Sequence, residues 1–323
     1  MLSVENARLI PTQLTAPGSA FSHTFNAGEI AVVLGANQSG KTDLCRLVAG
    51  LNTRATGQVS LAGNDLARVS PRLRPVSMVY QAFVNYPNLS VFENIASPLR
   101  AQKKPAHSVA ATVADLAEKL RIQELLPRLP HELSGGQQQR VAIARALAKQ
   151  AQVLLLDEPL VNLDFKLREA LEVELRDLLR ATNTVVIYTS SDPRDAFALG
   201  DQLLLLAQGK KIQAGPPLEI YQNPNSITAM ELLADPGVNR FHRGSELCAL
   251  RPEHIELSDD STPVTGTIRF EMQVTAYETN GDESFVHGQV EGREWVMRSR
   301  GMLPLNPGQQ IHLGAAEQDV VRF

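Results

Sequence analysis

The residues able to do chemistry are concentrated in two stretches of this chain. Residues 35 to 42 read GANQSGKT, a glycine-rich turn whose backbone amides can converge on one anion, closed by a lysine and a threonine. Gly35, Ala36, Asn37, Gln38, Ser39 and Gly40 would cradle phosphate oxygens, Lys41 would reach the terminal ones, and the Thr42 hydroxyl suits magnesium. Residues 131 to 164 read HELSGGQQQRVAIARALAKQAQVLLLDEPLVNLD. Here Ser134 can cap a helix whose free amides, with those of Gly135 and Gly136, face a second anion, and the helix dipole adds partial positive charge. Two adjacent carboxylates, Asp157 and Glu158, close the apolar run that follows. A helix cap or a core strand would explain either half of this stretch alone, but not both together.

These groups need a scaffold, and the apolar pattern supplies one. Ala31 to Leu34 reads as a strand leading into the glycine loop, with an apolar-periodic helix behind it through Val48. A helix over 137 to 149 brings Arg140 and Arg145 round its surface. Val153 to Leu156 reads as a strand buried on both faces, so Asp157 and Glu158 fall at its carboxyl end, where open α/β sheets hold ligands. Between Thr53 and Ser77, turns at Gly57 and Gly63 and β-prone runs predict a sheet edge. Residues 107 to 126, apolar at Val109, Val113, Leu116 and Leu120, have the period of a half-buried helix. A charged helix follows Asp164, then strands at Thr184 to Tyr188 and Leu203 to Leu206. Strands alternating with helices predict a mostly parallel sheet covered on both faces. Past LLADPGVNR at 232 to 240 the pattern changes to short β-like runs separated by Asn280-Gly281, Glu291-Gly292 and Pro307-Gly308, the mark of a small barrel. The expected organisation is therefore an α/β core over 1–232 with a helical subdomain at about 82–150, a linker at 233–240, and an OB-like β-barrel over 241–323.

Composition narrows the partners. At 323 residues the chain can hold one large and one smaller domain. A net charge of -4 without a long Lys/Arg run argues against nucleic acid as a partner. Two cysteines, Cys45 and Cys248, are too few for a disulfide framework and suit a reducing compartment. No apolar run reaches the roughly 20 residues needed to span a bilayer, and MLSVENARLI lacks the pattern of a signal peptide. The expectation is a soluble intracellular protein that other subunits would hold at any membrane where it works.

A Ser-Gly-Gly-Gln turn one helix ahead of Leu-Leu-Leu-Asp-Glu-Pro resembles the signature and Walker B regions of the ATP-binding cassette family, and GANQSGKT resembles its P-loop. ALRPEHIEL at 249 to 257 is similar to the start of the C-terminal barrel of sugar-importer ATPases, so the resemblance spans nearly the whole chain. It implies a P-loop ATPase core with a helical subdomain, ATP and Mg2+ as cofactors, and two chains face to face. Each nucleotide would lie between one chain's P-loop and the other's signature, here Leu133, Ser134, Gly135, Gly136 and Gln137. It further implies that Glu158 polarises the attacking water, that Asp157 suits magnesium, and that Gln81 touches magnesium and water while linking the site to membrane-spanning subunits. Two permease subunits and a periplasmic or lipid-anchored substrate-binding protein would complete an importer on the cytoplasmic face of the membrane.

The half-site on Lys41 departs from the family in three places. Ser191, in YTSSDPRDA, stands where a γ-phosphate-contacting histidine belongs, and no histidine occurs between His131 and His242. NARLIPTQ lacks the aromatic on which adenine stacks, leaving Ile10 or Pro11 there. The D-loop reads VNLD, with Val161 for the usual serine, although Asp164 remains. Losing one preorganised group costs about 3 to 4 kcal/mol of transition-state stabilisation, and losing a stacking ring about 1 to 3 kcal/mol. The expectation is a P-loop that binds nucleotide but turns it over slowly, paired with an unlike ATPase that borrows the intact signature. SDP after the last core strand, with MVYQ, NYP and NIASPLR, resembles one of the two unlike ATPases of glycerol importers, with a sugar or other polyol as the competing cargo. A homodimer in which Ser191 or water replaces the imidazole, a non-hydrolysing regulatory module and a soluble cassette ATPase of translation or repair are the competing readings.

Overall fold

The computed structural model describes residues 1–11, 18–51, 54–161, 165–258 and 267–323, the side chains of 165–167, 169 and 170 excepted. Its contacts divide the chain into two compact units, Met1–Ile220 and Tyr221–Phe323. The division falls ahead of the 233–240 stretch read as a linker.

In the first unit the chain runs β1 (Leu2–Arg8), β2 (Phe21–Phe25), β3 (Ile30–Leu34), α1 (Lys41–Ala49), β4 (Thr56–Leu61), β5 (Asn64–Asp65) and β6 (Val76–Val79). Then come α2 (Val91–Ala101), α3 (Ala106–Lys119), α4 (Gly135–Ala148), β7 (Val153–Asp157), α5 (Phe165–Arg180), β8 (Val185–Ser190), α6 (Pro193–Leu199), β9 (Gln202–Ala207) and β10 (Lys210–Gly215). Six strands form the central sheet in the order β10-β9-β3-β8-β7-β6. All pair in parallel except β10, an antiparallel edge. Both faces of β3, β7 and β8 are buried along their whole length, which is why Ile30–Leu34, Val153–Leu156 and Val185–Tyr188 read as apolar runs. Strands β2-β1-β4-β5 make a separate antiparallel sheet. Leu44, Cys45 and Val48 of α1 share one core with Val33, Leu155, Ile187 and Leu204 of the central sheet and Leu2 and Val59 of the smaller one. Helix α1 is thereby clamped between two sheets.

Two expectations are corrected here. The helix expected over 107–126 ends at Lys119, with Leu120 capping it and Arg121 at φ 53°, and Gln123–Leu125 is a separate 3₁₀ turn. Nor do Arg140 and Arg145 ride the surface of α4. Arg140 is 9% exposed and donates to the Leu120 carbonyl at 2.8 Å and to Glu174 at 2.7 Å, tying α4 to α5. Arg145 donates to the Val84 carbonyl and lies over the Tyr86 ring at 4.8 Å. Both guanidiniums brace neighbouring segments.

The second unit adds β11 (Asn239–Arg243), β12 (Glu246–Leu250), β13 (Glu256–Leu257), β14 (Thr267–Thr279), β15 (Glu283–Val290), β16 (Arg293–Arg300), β17 (Gln310–Ala316) and β18 (Val321–Arg322). A five-stranded antiparallel sheet, β13-β17-β14-β15-β16, and a three-stranded one, β11-β12-β18, make an antiparallel half-barrel of the OB-like kind. Alternation on β15, with every second residue buried, marks its one-sided packing. Its core centres on Trp295, which is 1% exposed and contacts the rings of Phe270 at 4.5 Å and Phe241 at 5.9 Å.

Candidate functional site

The site forms at the carboxyl ends of adjacent strands. Parallel register sets Asp157 at the end of β7 beside Thr189 of β8, and Leu34 at the end of β3 beside Ser190. Gly35 continues from β3, Glu158 from β7, and Gln81 lies two residues beyond β6. Four separate parts of the chain thus reach one place because the sheet aligns their ends.

The loop 35–40 is shaped by backbone constraints. The Gly35 amide donates to the Ser190 carbonyl at 3.2 Å, and a Cβ on Gly35 would collide with the Leu206 carbonyl. Gly40 holds φ 106°, a value reserved for glycine, and directly precedes α1. Lys41, 4% exposed, is drawn back over the loop: its Nζ donates to the carbonyls of Gly35 at 2.6 Å and Ala36 at 3.0 Å. The same Nζ pairs with Glu158 Oε1 at 3.0 Å, and Gln81 Nε2 donates to Glu158 Oε2 at 3.2 Å. Glu158 itself sits at φ 45°. A second knot lies behind: the hydroxyls of Thr42 and Thr189 both donate to Asp157 Oδ1, at 3.0 and 2.9 Å, and Thr189 Oγ1 accepts from the Glu158 amide at 3.0 Å. Burial pushes the Asp157 carboxyl above its ordinary range, Thr189 and Thr42 pull it back, and the Glu158 charge adds to the rise.

These groups open onto a cavity of about 410 Å³ whose walls include Pro11, Gln38, Lys41, Thr42, Gln81 and Glu158. Asn37, Gly40, Asp43 and Arg46 complete it. The fit to phosphate is direct: a lysine, loop amides, and the buried Ser39 Oγ, which has no hydrogen-bond partner. The fit to a hard divalent cation is oxygen chemistry, a carboxylate and a hydroxyl already in contact at Asp157 and Thr42, with the Gln81 amide in the same wall. Pro11, not Ile10, lines the cavity where a stacking ring was missed.

Ser191 is exposed and stands outside the cavity walls. Its neighbours carry the structure instead. Ser190 Oγ donates to Asp195 Oδ2 at 2.5 Å, Arg168 Nη2 pairs with Asp195 at 2.6 Å and Asp192 at 3.0 Å, and Arg168 Nε meets Glu172 at 2.8 Å. The segment after β8 is thus latched to α5. Val161 is 41% exposed; Asp164, named for the D-loop, lies outside the described residues.

The turn ahead of α4 forms the helix cap that its sequence predicts. Ser134 Oγ accepts from the Gln137 amide at 3.4 Å while the Ser134 amide donates to Gln137 Oε1 at 3.0 Å, a reciprocal cap for α4. Leu133 is buried and anchors the turn, and a Cβ on Gly135 would meet open space. Sequence reasoning missed Asn94, fully buried on α2. It accepts from the Tyr86 amide at 2.8 Å and donates to the carbonyls of Tyr86, Leu89 and Ser90, fixing the loop that presents Val84 and Tyr86 to solvent. It also missed Thr189, whose hydroxyl donates to the Asp157 carboxylate and accepts from the Glu158 backbone amide; a hydroxyl inside an apolar strand run is the signal that would have found it.

Among known proteins, the ABC transporter family model matches residues 19–161 and the TOBE domain model residues 248–323. The sn-glycerol-3-phosphate import ATP-binding protein UgpC 1 of Rhizobium etli is 36% identical over 276 residues, covering 82% of this chain and 79% of the relative. UgpC of Brucella abortus is 31% identical over 313 residues, 92% of this chain and 89% of the relative. Among solved structures, cbiO1 from Clostridium perfringens, described as part of the ABC transporter complex cbiONQ, aligns with TM-score 0.62 at 24% identity. That alignment covers 72% of this chain and 94% of cbiO1, and it speaks to the fold.

Proposed function

Since the chain belongs to the ABC transporter family, among its import ATP-binding proteins, we propose that it binds and hydrolyses ATP to drive uptake of a small polyol such as glycerol or its phosphate. The relatives named for sn-glycerol 3-phosphate import support that cargo class, with a sugar as the competitor. In this reading residues 1–232 form the nucleotide-binding domain and 241–323 the OB-like barrel. Two permease subunits hold the chain peripherally at the inner face of the membrane and connect to a substrate-binding protein.

Within the cavity, Lys41 exchanges its pairing with Glu158 for the terminal phosphate, and the loop amides and Ser39 take the remaining oxygens. Glu158, released from Lys41 and steadied by Gln81, polarises the attacking water. Thr42, Asp157 and Gln81 would hold a magnesium ion, which would supply charge neutralisation to the phosphate oxygens. Ser134, Gly135, Gly136 and Gln137 complete the nucleotide site of a second ATPase subunit, with Leu133 anchoring their turn.

We further propose that the second subunit is an unlike ATPase and that this chain's own site turns over slowly. The observation that carries this is Ser191, an exposed hydroxyl outside the cavity walls at the position where the family places an imidazole. The test is the ATPase rate of the assembled complex carrying Glu158→Gln or the equivalent change in the second subunit. Glu158→Gln should leave most turnover intact while the other change removes it. If Glu158→Gln abolishes turnover and the other does not, the asymmetry is reversed.

A further inference from the structure

On the footing that this cavity takes nucleotide, we propose that Asp43 is a specificity- and affinity-determining residue that holds nucleotide binding weak by placing a carboxylate where phosphate charge must enter. Asp43 lies in the first turn of α1 and lines the cavity with Lys41. At a rise of about 1.5 Å per residue it stands only about 3 Å along the axis beyond Lys41. The amino end of this helix offers an anion its free amides and its partial positive charge. A carboxylate in the first turn draws on that same field, which steadies α1 and leaves less for a phosphate.

The charge count of the walls makes the point independently. The cavity is faced by two cations, Lys41 and Arg46, and by two carboxylates, Asp43 and Glu158. Lys41 and Glu158 already neutralise each other at 3.0 Å. A polyanion therefore enters a wall with no net positive charge. Glu158 is required for the chemistry proposed above and Lys41 for phosphate contact, so Asp43 is the charge whose removal alone shifts the balance to favour the ligand. A cavity tuned this way empties readily, which suits a half-site whose turnover is slow.

The experiment is calorimetric titration of the full chain with Mg-ATP and Mg-ADP across a salt series, comparing wild type with Asp43→Asn, Asp43→Ser and Asp43→Glu. Lys41→Ala serves as the control for the site. Both neutral variants should bind about tenfold tighter, equivalent to about 1.4 kcal/mol, with a steeper fall in affinity as salt rises. Asp43→Glu should stay near wild type. A merely helix-capping role would move the melting temperature and leave affinity and salt slope alone. Unchanged or weaker binding in both neutral variants, with wild type binding in a Lys41-dependent way, overturns the role of Asp43 and spares the nucleotide reading. Absence of binding in wild type and all variants overturns both.

Discussion

At the scale of single residues, the site turns on Asp157, a carboxyl whose burial opposes its ionisation while hydroxyl neighbours favour it. Asp157 is 3% exposed and its pKa is raised by desolvation, with two threonine hydroxyls opposing. A carboxyl whose folded value exceeds its unfolded one binds more protons when folded, so stability falls as pH rises from the ordinary carboxylate range through the raised value. The sign is the reverse of a salt-bridged acid, and it makes Asp157 a cost to the fold that a bound cation would relieve. Asp157→Asn should therefore raise the melting temperature of the nucleotide-free chain at neutral pH and flatten its pH dependence. It should also abolish the further rise that Mg-ATP gives wild type. A variant that melts lower in the absence of nucleotide would show that the two hydroxyl bonds outweigh desolvation.

At the scale of elements, the pieces holding the site are braced by guanidiniums bonded to carbonyls. Arg74 is the strongest case: it donates to Leu47 and Val48 at the end of α1, at 3.2 and 2.8 Å, and to Val69 and Leu66 at 3.0 and 2.8 Å. It thereby satisfies carbonyls that a helix end leaves orphaned. Gly50, at φ 71°, packs so tightly on it that a side chain there would strike the guanidinium. Arg74→Ala should cost about 2 to 4 kcal/mol, because several buried acceptors lose a charged donor at once, and a denaturant midpoint measures it. A loss under about 0.5 kcal/mol, the level of an ordinary surface change, would mean that water replaces it. Such braces also mark where sequence stopped being legible. The loop, α1 and β7 follow from glycine spacing and apolar period, and GANQSGKT and LSGGQ sit in the local structures their residues dictate. Arg140 and Arg145 read as surface positions because their partners, Glu174 and Val84, are remote in the chain. Nor does any glycine or proline announce the end of α3; Arg121 takes the left-handed turn itself, so the helix could only be read too long.

At the scale of the whole molecule, each of the two units has a hydrophobic core of its own. The phosphate loop, Asp157, Glu158 and the capped α4 all belong to Met1–Ile220. Calorimetry should then resolve two transitions, and Mg-ATP should raise only the one belonging to that unit, since a ligand stabilises what it binds. A single transition that moves as a whole would show the units unfold together. The C-terminal half-barrel was legible because turn pairs such as Asn280-Gly281 punctuate alternating strands. The contact boundary at Tyr221 was not, because the Pro-Gly break beyond it is the louder signal. There Arg251 stacks over the Tyr221 ring at 3.7 Å and donates to its carbonyl at 2.7 Å, joining 221 to the later residues.

The chain contains one tryptophan, and it is Trp295. Buried among Phe241 and Phe270, it makes tryptophan emission, excited at the red edge where tyrosine does not absorb, a private reporter of the half-barrel, silent about the unit that carries the phosphate loop. An emission-monitored melt and a calorimetric one would then disagree by design, and their difference would isolate the unfolding of the catalytic half without any label.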